Sequence, residues 1–161
     1  MVHFITGAIN IGKSTRLLGI YRSLKKGDGF YNRKIYRGNV FAGQEIVHLA
    51  TEESEPFSYR EGFIPENWQE ECRYGAFSFS RSGLEFGREI IKKALCFRIE
   101  PLFIDEIGPL ELQGEGFHDI FSSLINTSVE IYVVVRQNSL DDVIREFPTV
   151  KFMLIDAAEY K

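Results

Sequence analysis

One segment constrains the fold of this chain more than any other. Gly7-Ala8-Ile9-Asn10-Ile11-Gly12-Lys13-Ser14 fits the pattern GxxxxGK[ST]. In that pattern successive backbone N–H groups turn inward around phosphate oxygens, and glycine stands where a side chain would crowd the anion. Such a loop must open a helix, because the free N–H groups and the positive dipole end of a helix start favour negative charge. It must also follow a strand. Val2 to Ile5 is a short apolar run, and Lys13 to Leu24 places apolar residues at 17, 20, 21 and 24, so both conditions are met. The bland reading, an ordinary glycine turn, does not ask for those flanks. A nucleotide is therefore expected against Gly7, Ala8, Ile9, Asn10, Ile11, Gly12, Lys13, Ser14 and Thr15, with Lys13 at the β and γ phosphates and the Ser14 hydroxyl on Mg²⁺.

Composition narrows the class. The 161 residues are in the range of one domain, taken as 1–161, and are 44% hydrophobic and 26% charged, as in ordinary globular chains. No apolar run approaches the roughly twenty residues that span a bilayer, and Val2 to Ile5 is too short for a secretory signal. A soluble, cytoplasmic protein is the expectation. A net charge of -4 offers no basic field for a nucleic-acid backbone. Cys72 and Cys96 lack paired CxxC spacing, and His3, His48 and His118 are scattered, so all five read as structural.

Along the chain, Lys25 to Gly29 reads as a helix stop and turn, and Phe30 to Tyr36 and Val40 to Val47 as strands of a hairpin turning at Arg37-Gly38-Asn39. From His48 to Cys72 periodicity fades, acidic residues crowd between Glu52 and Glu66, and Pro56 and Pro65 interrupt, so surface loops are expected. Tyr74 to Phe79 reads as a strand and Leu84 to Phe97 as a helix. Then come a strand at Leu102 to Ile104, a helix at Phe117 to Leu124, a strand at Ile131 to Val135, a helix at Leu140 to Glu146 and a strand at Phe152 to Ile155. Apolar strands alternating with helices imply an α/β chain with a sheet covered on both faces.

Leu102-Phe103-Ile104 ends in Asp105-Glu106, which puts two carboxylates at the carboxyl edge of the sheet. Asp105 is the expected Walker B residue, holding Mg²⁺ through a water together with Ser14, since that ion keeps most of its waters and needs one or two carboxylates. Glu106 would face the γ-phosphate and orient an attacking water. Acidic pairs at strand ends also serve as solvated caps; the phosphate loop is what favours the functional reading here. An arginine near the γ-phosphate would offset charge in the transition state, and Arg73, Arg81 and Arg136 are candidates. Arg136 follows a strand and emerges at the same edge. Trp68, Tyr74 and Phe77 are read as core or lid packing and no base pocket is assigned to them.

Several of these segments together resemble a small P-loop nucleoside-triphosphatase family first described from thermophiles and found also in animals. The carrying residues are the phosphate loop, Gly29-Phe30-Tyr31, Glu71-Cys72-Arg73-Tyr74-Gly75, and Asp105-Glu106-Ile107-Gly108-Pro109-Leu110-Glu111-Leu112. The last is the most specific, because general P-loop chemistry does not demand Gly108, Glu111 and Leu112 at those distances. That family usually has a lysine where this chain has Pro109, and acidic residues where it has Asn32-Arg33-Lys34. The resemblance implies a three-layer P-loop fold with a mostly parallel central sheet and an inserted β-hairpin. It also implies slow hydrolysis of ATP, GTP and other triphosphates. The expected catalytic set is Lys13, Glu106 and Arg136, read from the motifs and the strand edge, with Arg73, which enters through the Glu-Cys-Arg string. Two other readings stay open: a small-molecule kinase with its acceptor at the hairpin and segment 48–72, and a nucleotide-dependent switch acting on a protein partner.

Overall fold

In the computed structural model residues 1–8, 11–149 and 151–159 are described. Nine strands and five helices follow one another as β1 (Val2–Thr6), α1 (Lys13–Leu24), β2 (Asp28–Arg37), β3 (Val40–His48), β4 (Ser54–Arg60), β5 (Glu70–Tyr74), β6 (Phe77–Ser80), α2 (Arg81–Cys96), β7 (Leu102–Ile104), α3 (Pro109–Leu112), α4 (His118–Ile125), β8 (Ile131–Val134), α5 (Leu140–Glu146) and β9 (Phe152–Asp156). The strands form one sheet in the order β5-β6-β4-β3-β2-β7-β8-β1-β9.

The sheet is mixed, which corrects the expectation of a mostly parallel one. From β2 to β9 the neighbours run parallel, whereas β2 to β5 are joined by antiparallel pairings. The difference arises in residues 48–72, where β4 and β5 stand in place of the expected loops. Two features hid β4. Phe57, Ser58 and Tyr59 are all buried, so the alternation that marks a half-solvated strand is missing. Pro56 lies beside a register irregularity between Gln44 and Glu45, a place where a strand tolerates the lost donor. The expected strand over Tyr74 to Phe79 is present as β6 from Phe77 on, but Gly75-Ala76 turns the chain, so that Tyr74 ends β5 and the two strands form a hairpin. The β2–β3 hairpin turns at Gly38-Asn39 as expected.

Successive residues of the central strands point to opposite faces, and each face has its own core. Phe4, Leu102, Ile104, Ile131 and Val133 join Leu84, Ile91, Phe121, Leu124, Val143 and Phe147, from α2, α4, α5 and the residue closing α5. Ile5, Phe103 and Val134 join Leu17 of α1. Helices thus cover both faces of the sheet at β7, β8 and β1. Buried residues of α2 fall at 83, 84, 87, 90, 91 and 94, one helical stripe, and its start is capped by Ser80, whose Oγ accepts from Gly83 N–H at 2.9 Å.

The cysteines and histidines sit in structural settings. Cys72 is buried, its thiol pushed up to about 12 by burial, which keeps it inert, and Cys96 is free and exposed. His3 stacks on Tyr132 and meets Glu130; His48 meets Asp28 and Thr51. His118 meets Asp119 and Glu146. No helix among the described residues is long and apolar enough to cross a membrane.

Candidate active site

The parallel register brings the sequence-distant candidates to one level. Phe4, Val133 and Ile104 pair across β1, β8 and β7, and Ile104 pairs with Phe30 of β2. One to three residues further along, β1, β8 and β7 leave the sheet as Gly7, Arg136 and Asp105-Glu106, beside Asn32, which stays within β2. Hydrogen bonds tie these exits: Val135 N–H donates to the Ile5 carbonyl at 2.9 Å, Ile107 N–H to the Val134 carbonyl at 2.9 Å and Gln137 N–H to the Gly7 carbonyl at 3.3 Å.

Gly12 precedes α1 with φ 79° and ψ 40°, a left-handed conformation that glycine adopts without penalty. Arg16 N–H then donates to the Gly12 carbonyl at 2.9 Å, so helical bonding begins at the loop. Lys13 donates from Nζ to the Ala8 carbonyl at 2.7 Å. Burial lowers its pKa most; Glu106 and Asp105 oppose that, and Arg136 adds to it. Of the expected cradle, Ile9 and Asn10 lie outside the described residues. Thr15 is exposed on the first turn of α1.

Asp105 is 2% exposed. Burial pushes its carboxyl up to about 6, against the opposing pull of the Asn32 N–H and the Ser14 hydroxyl, both hydrogen-bonded to it. Asn32 grips it twice, from backbone N to Oδ2 at 2.9 Å and from Nδ2 to the Asp105 carbonyl at 3.1 Å. One buried carboxylate beside one hydroxyl, with no group of three His, Cys, Asp or Glu side chains gathered among the described residues, does not make an all-protein metal cage. Hard oxygens few in number do suit Mg²⁺, which keeps waters and takes phosphate oxygens.

Glu106 has φ 85°, a region that a residue with a Cβ enters only where its surroundings force it, and such outliers gather at functional sites. Arg136 Nε lies 2.8 Å from Glu106 Oε1. Arg73 is not brought to this group: on β5 it is exposed and paired with Glu61 and Glu70, at 2.6 and 2.9 Å. Arg81 pairs with Glu85 on the surface of α2.

Two residues emerge that the sequence reading left without a role. Asn32 is set beside Asp105 by the β2–β7 pairing; a polar side chain directly after Gly-Phe-Tyr was visible, but strand neighbours are not. Glu111 is buried, its two oxygens accepting from Gly108 N–H at 3.0 Å and Phe117 N–H at 3.1 Å, which braces the loop that follows Glu106. The specific spacing of Gly108 and Glu111 in the acidic string is that brace. Burial pushes the Glu111 carboxyl up to about 7.

A cavity of about 150 Å³ opens beside Glu106 and Arg136, walled by Phe41, Phe57, Tyr74, Phe77 and Phe79. Tyr74 and Phe77 therefore face a cavity instead of a closed core, while Trp68 donates to Ser78 Oγ and packs on Tyr59. Asn32 and Pro109, where the sequence departs from the resembled pattern, line the same cavity.

The family described as NTPase matches residues 2–158. A nucleoside-triphosphatase THEP1 of Methanopyrus kandleri is 31% identical over 144 residues, 87% of this chain and 76% of that protein. A nucleoside-triphosphatase THEP1 of Natranaerobius thermophilus is 29% identical over 137 residues, 84% of this chain and 75% of that protein. Among solved structures, THEP1 of Aquifex aeolicus superposes with a TM-score of 0.77 at 21% identity, over 99% of this chain and 91% of that one. A human cancer-related nucleoside triphosphatase superposes with a TM-score of 0.65 at 20% identity, over 95% and 86%. At those identities the structures speak for the fold.

Proposed function

The chain belongs to the NTPase family and is a nucleoside-triphosphatase; from that premise we propose that it cleaves nucleoside triphosphates to diphosphate and phosphate, with Mg²⁺ and with little preference among bases. The observation that supports this most is Glu106, strained and held against Arg136, beside Lys13 and Asp105. The loop from Gly7 and the start of α1 bind the phosphates, and Lys13 leaves the Ala8 carbonyl for the β and γ oxygens. Arg136 turns from Glu106 to the γ-phosphate, where it offsets charge that grows in the transition state. Glu106, freed of that partner, orients a water and takes its proton. Asn32 keeps Asp105 in place. Ser14 and Asp105 would hold Mg²⁺, which supplies neutralising charge at the β and γ phosphates when bound. Breadth of base is implied by the family resemblance. A cytoplasmic location, in keeping with two free cysteines, belongs to the same reading.

The test is phosphate release from ATP, GTP, CTP and UTP with and without Mg²⁺. Release from all four that needs Mg²⁺ is expected. Glu106→Gln should lower turnover by about 10²–10⁴-fold while nucleotide still binds, and Lys13→Ala should weaken binding as well. Release that persists undiminished in Glu106→Gln would remove the water-activating role.

A further inference from the structure

No described residue of the phosphate loop lines the aromatic cavity, which among the described residues meets the proposed site through Asn32, Glu106 and Arg136. An occupant would therefore stand on the side from which a nucleophile reaches the γ-phosphorus, and away from the nucleotide's base. The charged side chains around the cavity are committed: Glu106 to Arg136, and Glu111 to two backbone N–H groups. The rest of the described wall is uncharged: five aromatic side chains with Gln44 and Ser58 between them on one side, and Asn32 with segment 108–110 on the other, a surface for a neutral, flat molecule. About 150 Å³ is the size of an apolar cavity that takes one benzene ring. Asn32, whose Nδ2 and N–H both serve Asp105, keeps a solvent-sealed Oδ1 without a hydrogen-bond partner, so a donor is wanted there.

We propose that this cavity binds a small neutral alcohol carrying one aromatic ring, which accepts the γ-phosphoryl group in place of water. The proposal rests on the reading of the site above, and on Glu106 as its base. The alcohol oxygen bonds to the γ-phosphorus as the bond from that phosphorus to the β,γ-bridging oxygen breaks. The bridging oxygen leaves with the electron pair on the nucleoside diphosphate, and the hydroxyl proton passes to the Glu106 carboxylate. A phosphate monoester and a nucleoside diphosphate are the products, and hydrolysis is the same step with water in the alcohol's place. The hairpin strand β3 and the strand β4 within residues 48–72 both contribute wall to the cavity, through Phe41 and Gln44 and through Phe57 and Ser58.

The experiment incubates the intact protein with Mg²⁺ and ATP labelled in its γ-phosphate, with and without benzyl alcohol, and separates benzyl phosphate from inorganic phosphate. Label on benzyl alcohol that requires the protein is the expected result. Gln44→Trp, which fills the cavity, should cut that transfer about tenfold or more, and Gln44→Phe, a smaller filling change with the same expected direction, serves if the tryptophan variant does not fold. If ATP yields inorganic phosphate at one rate with or without the alcohol and no label reaches it, the acceptor site is overturned and the triphosphatase reading stands. If label reaches the alcohol while none is released to water, the acceptor site is upheld and hydrolysis is not this protein's reaction. If no phosphate leaves ATP under either condition, both fail.

Discussion

At the scale of single residues, the proposed site divides into groups proposed to meet phosphate and groups that hold them. Arg136, beside Glu106, is proposed for the first kind and Arg73, paired elsewhere, is not, although the sequence offers both. Arg136→Ala should lower kcat about 10²–10³-fold, the size of losing one preorganised donor, with KM little changed, while Arg73→Ala should leave steady-state kinetics as they were. Equal losses in the two variants would show that geometry at the sheet edge does not select the arginine. Glu111 belongs to the second kind, and its raised carboxyl has a sign that can be worked out. A carboxyl at about 7 in the folded protein and near 4.5 when unfolded binds its proton more tightly when folded. Stability is therefore fullest below about 4.5 and is lost as pH rises towards and through 7, by up to about 3 kcal/mol. Glu111→Gln carries no such titration but loses an acceptor. In urea unfolding its deficit against the intact protein should shrink between pH 5 and pH 8; a deficit independent of pH would contradict the raised carboxyl.

At the scale of elements, one glycine in the family-like strings stands where another element leaves no room. A Cβ on Gly29 would come 2.0 Å from the Phe103 carbonyl oxygen of the adjacent strand β7, so the Gly-Phe-Tyr triplet records the close approach of β2 and β7. Gly87 is a different case, because it lies inside α2, where alanine is preferred by about 1 kcal/mol. An added Cβ would sit 2.7 Å from the Phe117 ring, and that ring is pinned by Phe30 and Phe57, with centroids 5.0 and 5.8 Å away. Overpacking of about 1–3 kcal/mol exceeds the propensity gain. Gly87→Ala should lower Tm by several degrees; a rise would mean that Phe117 can move aside. The helices were legible because their stripes are long and one-sided, as in α2. The strand β4 was not, because a segment buried on both faces and broken by Pro56 carries no period to read.

At the scale of the whole molecule, the two ends of the sheet are finished differently. The outer strand β5 is short and carries Glu70, Glu71 and Arg73, charges that discourage strand addition. The other outer strand, β9, exposes Phe152, Met153 and Leu154. An exposed apolar edge favours association, so replacing Met153 and Leu154 by lysine should raise the temperature at which light scattering begins on heating, with near-ultraviolet circular dichroism unchanged. An earlier onset of scattering would show that these side chains serve the fold of the isolated chain. The expectation that every strand would be covered fails at β9, because its apolar run looks the same in sequence whether a neighbour lies over it or not.

Taken alone, the sequence determined the phosphate loop with its strand and helix, the acidic pair at the end of β7, and the alternation that makes an α/β chain. Each of these is local: a spacing of glycines, a run of apolar residues, a stripe of period 3.6. Tertiary structure decided which arginine stands at Glu106, that Asn32 holds Asp105, that a buried Glu111 braces the loop after Glu106, and that five aromatic side chains from β3, β4, β5 and β6 meet around one cavity. The arginine and Asn32 depend on strand order and register in the parallel half and the cavity on the antiparallel extension, and a contact between strands distant in sequence leaves no periodic trace in either.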